Sequence, residues 1–164
     1  MNIETELLGI PHPLRHLTET PMQIAVYRRK LRFADLSDID EWWNYYAQLI
    51  GMVPQWTLLG YYTQKKSMDQ LDPRCLGNLE RLKWDCREGK VDLVFTQSLY
   101  QLARSVVGNV AFVRELKSME NPVGVFFERI HLYTLDKNAD MLLTIFAVLA
   151  KDERREIGRS RHGI

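Results

Sequence analysis

The strongest constraint in this chain is an alternation. Short apolar runs rich in β-branched and aromatic residues are separated by segments of helical period. The runs read IAVYR at 24–28, TLLGYY at 57–62, VDLVFTQ at 91–97 and VGVFFE at 123–128. Runs that are apolar at nearly every position suit strands covered on both faces. Strands that alternate with helices predict a parallel sheet, because a parallel pair needs a crossover long enough to hold a helix. The expected class is α/β: a three-layer domain with a mainly parallel sheet of about four strands, helices on both faces and a long C-terminal helix.

The helical segments carry their own boundaries. Ser37 or Asp38 is placed to cap DIDEWWNYYAQLIGM, which Pro54 ends. Asp72-Pro73 reads as a helix start that runs through LGNLERLKWDCREG to Gly89. SVVGNVAFVRELKSM is periodic and stops before Pro122. Asp140 opens the apolar run MLLTIFAVLA, which turns highly charged at KDERREIGRSRHG. A short further strand is placed near 131–133. Pro11, Pro13 and Pro21 break any pattern in residues 1–21, which are expected to be a partly ordered extension. Residues 22–164 are expected to be the folded domain.

At 164 residues the chain is long enough for one domain with a substantial core. Its net charge of +1 gives no global argument for an acidic partner, so any DNA contact needs local clustering of Lys and Arg. Cys75 and Cys86 form no disulfide framework or metal pair, and His12 and His16 have Pro13 between them. No metal or cofactor is expected. No apolar run approaches the length needed to span a membrane, and the start MNIETELLGIPHPLRH lacks a secretory pattern. The expected compartment is a reducing cytoplasm. Trp42, Trp43, Tyr45 and Tyr46 are read as packing a helix onto the sheet rather than as stacking bases.

The second half holds a run of ordered motifs. VDLV with Gln97 and Ser98, then LAR, FVRELK, VGVFFE, TLD with Asn138, and LLTI leading through Ala147 and Ala150 to Glu153 and Arg154, follow one another at characteristic spacing. The first half adds AVYRR, WWNYYAQLI and PQWTLLGYY. Together these resemble the catalytic domain of serine site-specific recombinases, the resolvase/invertase family, and most closely its large serine integrase branch. The resemblance covers about residue 23 to the end. It implies a resolvase-like domain with a flavodoxin-like strand order. It also implies DNA cleavage and rejoining through a phosphoserine intermediate, in which arginines neutralise the transition state and carboxylates orient them. Such a site needs no metal, since fixed guanidinium groups supply the positive charge.

The family's positions carry over unevenly. Its Tyr-x-Arg-x-Ser order falls on Tyr27-Arg28-Arg29-Lys30-Leu31, which keeps Tyr27 and Arg29 and puts Leu31 in the nucleophile's place. The acid after the second strand falls at Gln64. An arginine expected near the next helix is Arg74 in one register and Leu76 in another. The Ser/Asp-Arg-x-x-Arg element falls on Tyr100-Gln101-Leu102-Ala103-Arg104, so only Arg104 remains, either as a relic of phosphate binding or as a helix-start residue paired with an acid. Glu153-Arg154 matches the family's pair in the last helix, and also reads as a plain charged helix face. Arg28, Arg29, Lys30 and Arg32 are either a phosphate cradle or a solvated loop. Ser37 reads as a cap, not a substitute nucleophile.

The retained site positions are therefore Arg29, Arg104, Glu153 and Arg154. A leucine has no nucleophilic atom, so phosphoserine chemistry at Leu31 is impossible rather than slow. The expected protein is a recombinase-fold homologue without strand-cleaving activity, ending before any DNA-binding domain. DNA is the partner the resemblance implies, with weak or absent affinity in this chain. A pseudo-recombinase that dimerises through its last helix, or pairs with an active recombinase and inhibits it, is the second expectation. A mobile-element remnant is the third. An unrelated flavodoxin-like enzyme lacks support, because 27–33 holds no glycine to cradle a phosphate.

Overall fold

The computed structural model describes residues 17–29, 36–64, 72–136, 138–141, 143–145 and 148. The strands are β1 (Met22–Tyr27), β2 (Trp56–Tyr62), β3 (Cys75–Gly77), β4 (Leu93–Thr96), β5 (Gly124–Phe127) and β6 (Leu132–Tyr133). The helices are α1 (Leu36–Gly51), α2 (Leu79–Arg87), α3 (Leu99–Leu102) and α4 (Val106–Lys117). One sheet runs in the order β3-β2-β1-β4-β5-β6, and every neighbouring pair is parallel except β5 with β6.

The two-residue period of the strands sorts the core into two layers. Ile24, Val26, Tyr61, Leu93, Phe95 and Phe126 pack with Ile39, Tyr46, Leu49 and Ile50 of α1. Ala25, Tyr27, Tyr62, Val94, Val125 and Phe127 pack on the other side with α2 and α4, through Leu82, Cys86, Phe112, Val113 and Leu116. A bulge keeps β2 in step with this division. Ile24 pairs with Leu58 but Ala25 pairs with Gly60, so Leu59 is an extra residue. Without it Tyr61 and Tyr62 would exchange faces. The aromatic residues of α1 pack as expected, with Trp42 edge-on to Tyr61 at 5.3 Å and to Tyr46 at 5.4 Å.

The four expected strands form, and two more extend the sheet. The segment 75–77, expected inside a helix, is instead the edge strand β3. Gly60 explains why: a Cβ there would lie 2.6 Å from the Arg74 carbonyl, so the bare backbone of β2 lets the segment close in. Tyr61 and Thr63 donate from their amides to the carbonyls of Arg74 and Gly77, each at 3.0 Å. The helix begins only after Gly77, whose φ of +151° favours glycine. Asn78 caps it by accepting from the Arg81 amide at 3.0 Å. At the other edge, Leu132 and Tyr133 fold back antiparallel to β5, where a short strand was expected.

Residues 139–141, 143–145 and 148 are helical. Ala139 and Leu143 enter the α2/α4 layer, and Lys117 reaches Asp140 at 3.3 Å. The expected length of the C-terminal helix lies outside the described residues. So do residues 1–16 of the N-terminal extension. Leu17 packs on the α1 layer, and its carbonyl accepts from the Trp56 indole at 3.0 Å. Among the described residues no helix is long and apolar enough to cross a membrane.

Candidate functional site

β1 and β4 lie side by side, but the chain leaves them in opposite directions. After β1 it continues to α1 on one face, and after β4 to α3 and α4 on the other. Such a divergence opens a crevice at the C-terminal ends of the strands. A cavity of about 600 Å³ lies there. Tyr27 and Arg29 bring β1 to it, Gln64 follows β2, and Leu79 opens α2. Leu102, Ala103 and Arg104 close it from α3 and the loop to α4.

The backbone holds Arg29 on its own. Its amide donates to the Gln101 carbonyl at 2.8 Å, and its Nε donates to the Tyr100 carbonyl at 3.1 Å. The guanidinium carbon lies 4.5 Å from the centre of the Tyr100 ring. Arg29 is 5% exposed, and its Nη2 is buried with no hydrogen-bond partner among the described residues. Arg28, one residue earlier, turns the other way and lies 5.8 Å from the Trp42 ring. Burial lowers its pKa from the ordinary arginine value, with Tyr46 opposing and Arg129 reinforcing the shift. The basic run thus divides between the faces of the sheet, and only Arg29 of the two reaches the cavity.

Tyr27 stacks against Phe112 at 6.4 Å. Burial pushes its phenol up to about 12 against the pull of Arg29, so it brings no negative charge to the site. No Asp or Glu among the described residues lines the cavity. Arg29 and Arg104 are the charged residues of its lining, and α2 begins at its wall, with the partial positive charge of a helix N-terminus. The arrangement favours an anion. The wall near Arg104 is braced: Ser105 caps α4 by accepting from the Gly108 amide at 2.9 Å. Asn109 donates to the carbonyls of Ala103 and Ser105 at 3.2 and 3.0 Å.

The structure brings together Arg29, Gln64 and Arg104 as the sequence ordered them. Arg74 is elsewhere, bonded to Asp72 and 2.7 Å from Asp40. Leu31, Lys30, Arg32, Glu153 and Arg154 lie outside the described residues. Sequence reasoning set Tyr100 at a motif position but missed its contact with Arg29, which spans 71 positions, and it missed Asn109, which has no motif to mark it. The paired caps Ser98 and Ser105 were the available signal that 98–105 forms a tight wall. No cluster of His, Cys, Asp or Glu among the described residues could hold a metal. Cys86 is buried and its thiol is pushed up to about 12, chiefly by burial and then by Asp85 and Asp92, so it is a poor nucleophile.

The family model for the resolvase N-terminal domain matches residues 48–164. The chain belongs to the resolvase family. Two solved structures share the fold. The N-terminal catalytic domain of TP901-1 integrase is 20% identical, with a TM-score of 0.51 over 81% of this chain and 97% of that one. A resolvase family site-specific recombinase from Streptococcus pneumoniae is 14% identical, with a TM-score of 0.52 over 87% of this chain and 94% of that one. No curated protein matches the chain significantly. The resolvase family acts on DNA in site-specific recombination, and its members oligomerise. In this resolvase domain the candidate site sits at the C-terminal ends of the parallel strands.

Proposed function

We propose that this resolvase-family chain binds a DNA phosphate without cutting it. The observation that carries the reading is the cavity itself. Arg29 and Arg104 are the charged residues among its lining, and Gln64 stands where the resemblance puts an acid. Two cations suit a backbone phosphate. Cleavage also needs a nucleophile, and the sequence puts Leu31 in that position. Gln101 replaces a second arginine that would share the transition-state charge.

The test is to incubate the protein with a random-sequence duplex library and resolve the products under denaturing conditions. A band of protein covalently joined to DNA refutes the inactive reading. Binding is followed separately against salt. Replacing Arg29 by Gln should reduce the slope of log affinity against log salt by about 1, as expected for one lost phosphate contact.

A second reading rests on another surface. Met141, Ile145 and Val148 are 62%, 48% and 46% exposed, while Ala139 and Leu143 on the inward side are buried. Spacings of four and three residues align the exposed three along one helical stripe. We infer that this stripe pairs the chain with a second recombinase subunit, either its own copy or an active one. Sedimentation at rising concentration tests self-pairing, and co-sedimentation with an active recombinase tests the mixed pair.

A further inference from the structure

The two arginines of the cavity are supported differently. Arg29 follows β1 directly, and its amide and Nε both bond to carbonyls of α3. Arg104 lies on neither a strand nor a helix. It is the middle residue of the three-residue connection between α3 and α4, and it is exposed. Its neighbours Ala103 and Ser105 are both extended, with φ of −151° and −115°. So short a connection has no ladder of its own, and its backbone groups need partners from elsewhere.

Asn109, in the first turn of α4, supplies them. It is 1% exposed, and its Nδ2 donates to the carbonyls on either side of Arg104, to Ala103 at 3.2 Å and to Ser105 at 3.0 Å. An amide nitrogen carries two hydrogens, and these bonds use both. Turning the amide over would set its oxygen against two carbonyl oxygens, so its orientation is fixed. The Ala103 amide donates to the Leu99 carbonyl at 3.0 Å, so both backbone groups of Ala103 are held. A Cβ at Gly108 would lie 3.1 Å from the Ala103 Cβ and from the Ser105 Oγ, so the bare backbone there lets the connection close onto α4. Asn109 Oδ1 is buried with no partner among the described residues. An unsatisfied buried acceptor is unfavourable, so this side chain is poorly suited to filling space alone. Its contribution is the pair of donors. We propose that Asn109 is a positioning residue for Arg104, holding the connection so that the arginine stands at the cavity before an anion arrives. The proposal rests on reading the cavity as a phosphate site. A cation placed in advance loses less freedom on binding.

The experiment measures binding of a short random-sequence duplex to the full chain across a range of salt, with a melting curve for every variant. Arg104→Gln should lower the slope of log affinity against log salt by about 1. Asn109→Ala should lower it equally, with a loss of affinity within about twofold of the Arg104→Gln loss. Added to Arg104→Gln, it should cost no more than about a further twofold. A side chain that only supports the fold shifts the melting temperature and leaves the slope, which counts phosphate contacts. Asn109→Ser serves if the alanine variant does not fold. Its hydroxyl reaches the Ser105 carbonyl four residues back but leaves Ala103 unheld, so it too should lower the slope. An unchanged slope in a folded Asn109 variant, or an equal loss with and without Arg104, overturns the positioning role and leaves the phosphate site standing. An unchanged slope in Arg104→Gln itself overturns both.

Discussion

Tyr62 donates a 2.6 Å hydrogen bond to Asp85, and both residues are buried. The bond ties the end of β2 to the last turn of α2, the helix whose first residue, Leu79, lines the cavity. Arg81 lies 3.2 Å from the other Asp85 oxygen as an ion pair outside hydrogen-bond geometry. Tyr62→Phe leaves that carboxylate buried with its main donor gone. The expected loss is about 1.5–3 kcal/mol, the usual value for a hydrogen bond to a charged group. For a chain of this size that is about 3–12 °C in Tm. Asp85→Asn should cost less, because the amide oxygen still accepts. Burial first, then the Asp85 hydrogen bond and charge, raise the Tyr62 phenol above the ordinary tyrosine range. Its contribution is therefore present below the unfolded value of about 10 and is lost as pH rises beyond it. Denaturant melts of the wild type and Tyr62→Phe at neutral and alkaline pH check both points.

Acid should act on a different pair. Asp72 is buried, which by itself raises its carboxyl pKa. Hydrogen bonds from the Arg74 side chain and amide and from the Tyr61 hydroxyl, with the Arg74 charge, more than reverse this, so the carboxyl lies below its ordinary value. A depressed folded pKa gives stability that is complete above the unfolded value, about 4, and is lost as pH falls through the folded one. Asp72→Asn should therefore be less stable than wild type at neutral pH, and the gap should narrow below about pH 4. Parallel melting curves in the two proteins that keep a constant separation down to low pH would contradict the assignment.

The β5–β6 edge depends on a missing side chain. A Cβ at Gly124 would meet the Tyr133 ring, lying 3.0 Å from Cζ and closer still to Cε1. Tyr133 is 6% exposed and packs in the α1 layer, so the ring has little room to retreat. Gly124→Ala should cost about 1–3 kcal/mol through overpacking. Adding Tyr133→Ala to it should relieve the clash, so the double variant should be more stable than the sum of the single losses implies. Denaturant midpoints of the four proteins in the cycle decide it.

The exposed stripe at Met141, Ile145 and Val148 separates association from folding. Ile145 is 48% exposed, so Ile145→Glu should leave monomer stability within about 0.5 kcal/mol, as surface changes do. Buried in a helix–helix contact, the same carboxylate would be unpaired and strongly unfavourable. Sedimentation should show an assembly in the wild type at concentrations where Ile145→Glu is monomeric. Identical profiles for both proteins at all concentrations would rule the stripe out as the pairing surface.

Sequence and structure agree where hydrophobic period decides and part where single glycines or distant contacts decide. The four central strands are doubly covered and nearly all apolar, so their patterns had one interpretation. β3 had the composition of a helix start, and only the bare backbone of Gly60, in the strand before it, makes room for it as a strand. The site shows the same division. Arg29, Gln64 and Arg104 were legible because motif order places them on strand ends and the following loops. The contact of Tyr100 with Arg29 was not, because it depends on how α3 lies across β1, which no local pattern encodes. Arg74 was ambiguous in sequence for a related reason: the edge strand that follows it, and its bonds to Asp72 and Asp40, were both invisible.

Restoring the nucleophile alone should not restore cutting. On the function proposed above, Leu31→Ser supplies an attacking hydroxyl, but Gln64 and Gln101 still stand where the resemblance puts an acid and an arginine. Each missing preorganised charge costs about 10²–10³ in rate, so two leave a deficit of about 10⁴–10⁶. That gap places the single variant below detection in an overnight assay for covalent protein–DNA product. Adding Gln64→Glu and Gln101→Arg should recover part of the deficit, and more than either alone, because a carboxylate that orients an arginine acts through that arginine. Covalent product from Leu31→Ser by itself would show that Arg29 and Arg104 suffice to stabilise the transition state, and that the charges lost at Gln64 and Gln101 are dispensable.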